Sequence, residues 1–219
     1  MRTITDRRSN PFGMRPPCRE PCSPGVSAVF GYGDANADFH LIGDHPGVHG
    51  GAETGIPFTG LETTEDLLAV FASVGLWSAE ASDGPHPRNL FLSYLHLCCP
   101  PSGREPTPEA YADLERFFDA ELRAIAAHVL LPVGDRAIRH VLNEYTAKAS
   151  KLGDDPGANH ATEVAGRGFL VIPVREPADW SADDADALER TLERVLASDY
   201  RQTADLTRFT GSDGQYLVR

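Results

Sequence analysis

Residues 41–60 read LIGDHPGVHGGAETGIPFTG, a short apolar run followed by a loop with six glycines in twenty residues and Asp44 at the junction. Glycine loses more backbone freedom on folding than any other residue, so a loop this rich in it exists where something approaches the main chain closely. The flanks say what holds the loop. DFHLIG at 38–43 reads as a buried strand. ETTEDLLAVFASVGL at 62–76 repeats Leu67, Leu68, Phe71 and Val74 at helical spacing, with Thr63 placed to cap that helix and Gly75 to stop it.

The same alternation recurs downstream. NLFLSYLHL at 89–97 is a second strand and runs into CCPPSGREP, which is all turn chemistry. Thr107 and Pro108 supply the N-cap and first residue of a helix that continues through YADLERFFDAELRAIAA. HVLLPVG at 128–134 is a third strand and DRAIRHVLNEY a third helix. GFLVIPV at 168–174 is a fourth strand, after which Ser181 opens a helix with early aspartates, which suit the positive helix end, continuing as ALERTLERVLAS. Residues 1–25, with five prolines, form an irregular arm, and 146–167 a long polar loop.

Strands that alternate with helices argue for an α/β fold: three layers, α/β/α, around a central four-stranded, mostly parallel sheet. The expected organisation is one domain over 1–198, arm included, with 199–219 as a tail or edge extension. Ligands of such sheets bind beyond the carboxyl ends of the strands. Three unusual segments lie there, the glycine loop, CCPPSGRE and REPADW, and they are expected to converge on one cleft.

Composition narrows the function. No apolar run approaches the roughly 20 residues of a membrane span, and MRTITDRRSNPFGM lacks the apolar core of a secretory signal, so the expected location is cytoplasmic. The formal net charge is −12, with Lys148 and Lys151 the only lysines among 20 basic residues. That balance fits a high-GC genome or a salt-adapted cytoplasm, where an acidic surface stays soluble. It makes the chain a poor generic phosphate binder. The four cysteines, Cys18, Cys22, Cys98 and Cys99, read as metal or cluster ligands or packed thiols; a disulfide scaffold is not expected in a cytosolic domain of this size. His40, His45 and His49 lie near Asp44 in sequence, which raises a metal site as an alternative.

Five segments in order resemble the uracil-DNA glycosylase superfamily, closest to its iron–sulfur thermostable branch, over about Cys18 to Ser198. They are FGYGDANADFHLIGDHPG, GIPFTG, LCCPPSGREPTPEAYADLERFF, LLPVGDRAIRHVL and IPVREPADW. The resemblance implies an enzyme that turns a base out of the DNA stack into a shaped pocket and cuts it from its sugar. It implies Asp44 as the acid that stabilises positive charge on the sugar or orients water, Phe58 as the ring that stacks on the base, and Gly43 and His45 as pocket lining. Arg104 and Arg167 become phosphate contacts and Trp180 a wedge into the stack.

The resemblance also marks departures. Where the family places a histidine that donates to the base oxygen, this chain has Glu176, an acceptor when ionised, beside Arg175, which could supply the donor instead. Where the family's second strand ends in an asparagine that reads uracil, the register gives Tyr94. Cys18, Cys22 and Cys98 match three of the four ligand positions of a [4Fe–4S] cluster, but the fourth holds Leu114, leaving Cys99 as the available thiolate. The leading expectation is a monomeric, divergent DNA glycosylase acting on DNA with a deaminated base, uracil by default. The alternatives are an inactive nucleic-acid-binding relative and a small-molecule nucleotide or metal-dependent hydrolase.

Overall fold

A computed structural model describes residues 8–79, 84–101, 104–146, 155–166 and 168–201. Among the described residues the sheet has seven strands, not the four expected. They are β1 (Arg8–Ser9), β2 (Tyr32–Gly33), β3 (Phe39–Gly43), β4 (Leu90–Tyr94), β5 (Val129–Pro132), β6 (Val164–Ala165) and β7 (Leu170–Val171). Their order is β1-β2-β4-β3-β5-β7-β6. The four strands legible in the sequence form the central parallel part, β4-β3-β5-β7. The additions are two-residue strands that pair antiparallel at the edges. Such short edges carry too little periodicity to be seen in sequence, and they cover backbone groups that a parallel sheet would otherwise expose.

The α-helices among the described residues are α1 (Pro46–His49), α2 (Glu65–Ser73), α3 (Pro108–Ile125), α4 (Gly134–Tyr145) and α5 (Asp184–Leu196). Strand alternation sends Phe39 and Leu41 to one face, where they pack with Leu67 and Phe71 of α2 and Leu188 and Leu192 of α5. Ile42 and Leu130 go to the other face, against Phe118 and Leu122 of α3 and Ile138 and Val141 of α4. The result is the expected three-layer α/β/α arrangement. Thr107 caps α3 as read from sequence, its hydroxyl accepting from the Ala110 amide at 3.3 Å. Neither Thr63 nor Ser181 caps its helix. The N-caps are Thr64 and Asp183, without side-chain cap bonds, and Ser181 instead donates to Asp184 from both its amide and its hydroxyl.

The strand order places the site. The chain leaves β3 for β4 on one side, then crosses back past β3 to reach β5 on the other. The carboxyl end of β3 is therefore the topological switch point, where the two connections diverge and leave a crevice. Gly43 ends β3 and Asp44 follows it. Beyond α5, Tyr200 and Arg201 return to the opposite end of β3 and donate to Asp38. The tail residues 202–219 lie outside the described residues.

Candidate active site

Three of the expected segments meet at the switch point. A cleft of about 600 Å³ opens there, lined by Asp44, Val48, Glu105, Asp135, Arg136, Asp155, Gly157, Arg175, Glu176 and Asp179. Six of these ten are carboxylates and two are arginines, so the lining carries a formal excess of four negative charges.

Asp44 is held on both oxygens. Tyr111, in the first turn of α3, donates to Oδ1, and Arg136, in the first turn of α4, donates from Nε to Oδ2 at 3.2 Å. The Arg136 guanidinium also lies over the Tyr111 ring, 4.4 Å from its centre. Burial and the Asp44 carboxylate together push the Tyr111 hydroxyl well above the usual phenol range, so it stays a donor. Neither partner was singled out in sequence. Both sit in the first turn of a helix that follows a strand, and that placement at the carboxyl edge of the sheet is the signal that could have found them.

Glu176 is built from beneath. The His49 ring is fully buried. Its Nδ1 accepts from the Asp44 amide at 3.0 Å, so Nε2 carries the proton and donates to Glu176 Oε2 at 3.1 Å. The carboxylate reaches this position because residue 134 has no side chain. A Cβ on Gly134 would lie 2.6 Å from Glu176 Oε2, and the residue's φ of +77° also favours glycine.

The expected base-stacking group lies elsewhere. Phe58 is fully buried and does not line the cleft. Its ring stacks on His49 with centres 5.4 Å apart, and Tyr94 packs against both. The Tyr94 hydroxyl accepts from the Phe58 amide at 2.7 Å and faces the carbonyls of His49 and Gly50 at 2.9 and 3.1 Å. Phe58 itself is left-handed, with φ of 65°, a conformation costly for an aromatic residue and fixed here by that bond and by Thr64, which donates to its carbonyl. The three rings converge on Gly43, where a Cβ would lie 2.7 to 2.8 Å from each. The glycine opening the loop is thus required by the protein's own side chains.

The remaining expected residues are distributed as follows. His45 is buried, accepts from the Gly47 amide on Nδ1 and meets Glu105 through Nε2 at 3.2 Å. Arg175 lines the cleft, but its Nη1 pairs with both oxygens of Asp184 at 3.1 and 3.2 Å. Burial alone would raise the Asp184 carboxyl; hydrogen bonds from Ser181 and the charge of Arg175 outweigh it and hold it below the usual carboxylate range. Trp180 is no exposed wedge. It is half-buried, donates from its indole to the Arg175 carbonyl at 2.9 Å and meets His160 edge-on. Arg104 is exposed in the turn after β4, and Arg167 lies outside the described residues. His40 does not join His45 and His49: it is buried on the α3 side, bonded to Ser93 at 2.7 Å. Among the described residues, the set that could hold a metal is instead Asp44, His45 and Glu105, whose ligand atoms lie within 4.8 Å of one another.

The order of these segments along the chain matches a known family. A family model described as the uracil DNA glycosylase superfamily covers residues 30–197.

This chain belongs to the uracil DNA glycosylase superfamily.

Among curated relatives, it is 27% identical over 169 residues to the type-5 uracil-DNA glycosylase of Pyrobaculum aerophilum, an alignment covering 75% of this chain and 72% of that protein. It is 25% identical over 150 residues to the type-4 uracil-DNA glycosylase of Archaeoglobus fulgidus, covering 68% and 70%. The type-5 uracil-DNA glycosylase of Thermus thermophilus is 29% identical over 157 residues, covering 70% and 66%.

The four cysteines are paired. Cys18 is joined to Cys98 and Cys22 to Cys99. The expectation that disulfides would be absent is therefore corrected. Adjacent Cys98 and Cys99 face different surroundings, and each meets one cysteine of the arm. Cys98 and Cys18 pack in a small apolar cluster with Ala28, Leu97 and Leu114, while Cys22 and Cys99 pack against the large core. Leu114, at the fourth ligand position implied by the iron–sulfur branch, is 2% exposed and fills that cluster with a methyl-rich side chain. Held as two covalent pairs, the four sulfurs are not free thiolates; reduced, Cys18, Cys22, Cys98 and Cys99 are the side chains that would hold a [4Fe–4S] cluster.

Proposed function

We propose that this chain is a DNA glycosylase that receives an extruded base in the Asp44 cleft and hydrolyses its bond to the sugar, with a deaminated base, uracil by default, as substrate. The observation that carries this reading is the position of Asp44: at the switch point of the sheet, at the edge of a cleft large enough for a base, with both oxygens fixed by Tyr111 and Arg136. As the N-glycosidic bond breaks, the sugar carbon gains positive charge. A carboxylate already held in place stabilises that charge without reorganising and orients the attacking water. The chain works as a monomer on DNA, Arg104 and Arg167 contacting phosphates. Arg175 anchors the base-side loop through Asp184, and Gly43 and His45 shape the wall.

A second reading, a binding module without turnover, is favoured by a specific observation. The His49, Phe58 and Tyr94 rings close the space under Gly43, and Glu176 stands as an acceptor where a donor to the leaving base is wanted. Asp44, His45 and Glu105 support a third reading, a metal-dependent hydrolase of free nucleotides.

One assay separates the three. The pure protein is incubated with uracil-, hypoxanthine- and xanthine-containing oligonucleotides at low and at molar salt, and alkali-labile abasic sites are counted. Abasic sites that disappear in Asp44→Asn are the expected result. DNA binding without abasic sites points to the second reading. Metal-dependent turnover of free nucleotides points to the third.

A further inference from the structure

Uracil leaves its sugar as an anion, and that charge has to be met by a donor. The cleft offers little to meet it. Glu176 faces the cleft as an acceptor, its orientation set by the proton on buried His49 Nε2. Arg175 is turned to Asp184 and Arg136 to Asp44. In all, the lining holds six carboxylates, Glu176 among them, against those two arginines. A developing anion is therefore repelled where it forms, whereas a cationic base is attracted before the reaction and needs no such donor during it.

Resting on the glycosylase reading, we propose that the preferred substrate class of this cleft is DNA carrying a cationic, ring-alkylated purine, such as N7-methylguanine. In that reaction the bond between the sugar C1′ and purine N9 breaks and its electron pair passes to N9. The pair cancels the positive charge of the alkylated ring, and a neutral purine departs. Water oxygen bonds to C1′, and its released proton passes by way of the Asp44 carboxylate to solvent. Glu176 acts through charge, holding the cationic ring in the ground state and placing its alkylated edge toward the acidic wall. The volume of about 600 Å³ accommodates a purine as well as a pyrimidine.

The full chain is tested on two duplexes of the same sequence, one with a single N7-methylguanine and one with a single uracil. Released base is measured by chromatography above the uncatalysed background. N7-methylguanine is expected to leave at least about tenfold faster than uracil, and Glu176→Gln, which removes the charge and adds an amide donor, to narrow that ratio by about tenfold or more. Uracil released as fast as N7-methylguanine, or a ratio unchanged in Glu176→Gln, overturns the inference and leaves the glycosylase reading standing. Release of neither base, with the protein folded and bound to DNA, overturns the inference; the glycosylase reading falls with it when hypoxanthine and xanthine are not released either.

Discussion

His49 Nε2 donates to Glu176 Oε2 at 3.1 Å from a ring with no exposure to solvent, while the same ring stacks on Phe58 with centres 5.4 Å apart. One side chain thus couples the acidic cleft to the aromatic stack under Gly43. Tyr94 holds that stack together by accepting from the Phe58 amide. Tyr94→Phe keeps the ring but leaves a buried amide without its acceptor. The expected loss is about 1–3 kcal/mol in urea denaturation, with an unchanged slope. Gly43→Ala drives a methyl into all three rings and is expected to cost at least as much.

Asp44→Asn keeps the size of the side chain and removes its charge. Base release is expected to fall by about 100-fold or more in single-turnover kinetics, while the melting temperature moves by a few degrees at most. A variant that melts normally and releases base at the original rate would show that another group carries the charge.

A buried polar group outside the cleft sets a pH signature. Glu121 in α3 is pushed up to about 8 from 4.5, chiefly by burial, with the Ser93 hydroxyl and the Gly31 amide acting against the shift. His40, bonded to the same Ser93, is pushed down to about 3 from 6.5 by burial. The folded Glu121 keeps a proton that the unfolded chain has lost. Its contribution is full below pH 4.5 and is lost as pH rises toward 8. For His40 the sign is reversed: its contribution is present above pH 6.5 and lost as pH falls toward 3. The two slopes oppose each other between pH 4.5 and 6.5, and Glu121 alone acts above that window. Denaturation midpoints are expected to fall between pH 6.5 and 8, and Glu121→Gln to flatten that fall.

The cysteine pairing is open to direct measurement. Non-reducing peptide mapping is expected to recover Cys18 joined to Cys98 and Cys22 to Cys99. Four free thiolates, with about four irons per chain and absorbance near 400 nm, would instead make these sulfurs cluster ligands.

The parallel core was legible because each central strand is an apolar run bounded by turn chemistry and followed by a helical period. NLFLSYLHL and HVLLPVG are examples. The edge strands were not, since two residues such as Val164–Ala165 carry no period. Asp44 was legible from its place after a strand and before a glycine-rich loop. The burial of Phe58 was not legible, because sequence gives an aromatic residue but not the side to which its left-handed backbone turns it. Tyr111 and Arg136 were missed because they converge on Asp44 from 67 and 92 residues away, a juxtaposition that only strand order creates.

The bare backbone at Gly134 has a consequence for how such a cleft could change over generations. Any side chain there would occupy the place of the Glu176 carboxylate, so positions 134 and 176 are coupled through space although 42 residues separate them. A lineage exchanging its base preference through residue 176 is free to do so only while residue 134 stays small. Once residue 134 has grown, the route back to a carboxylate is closed until it shrinks again.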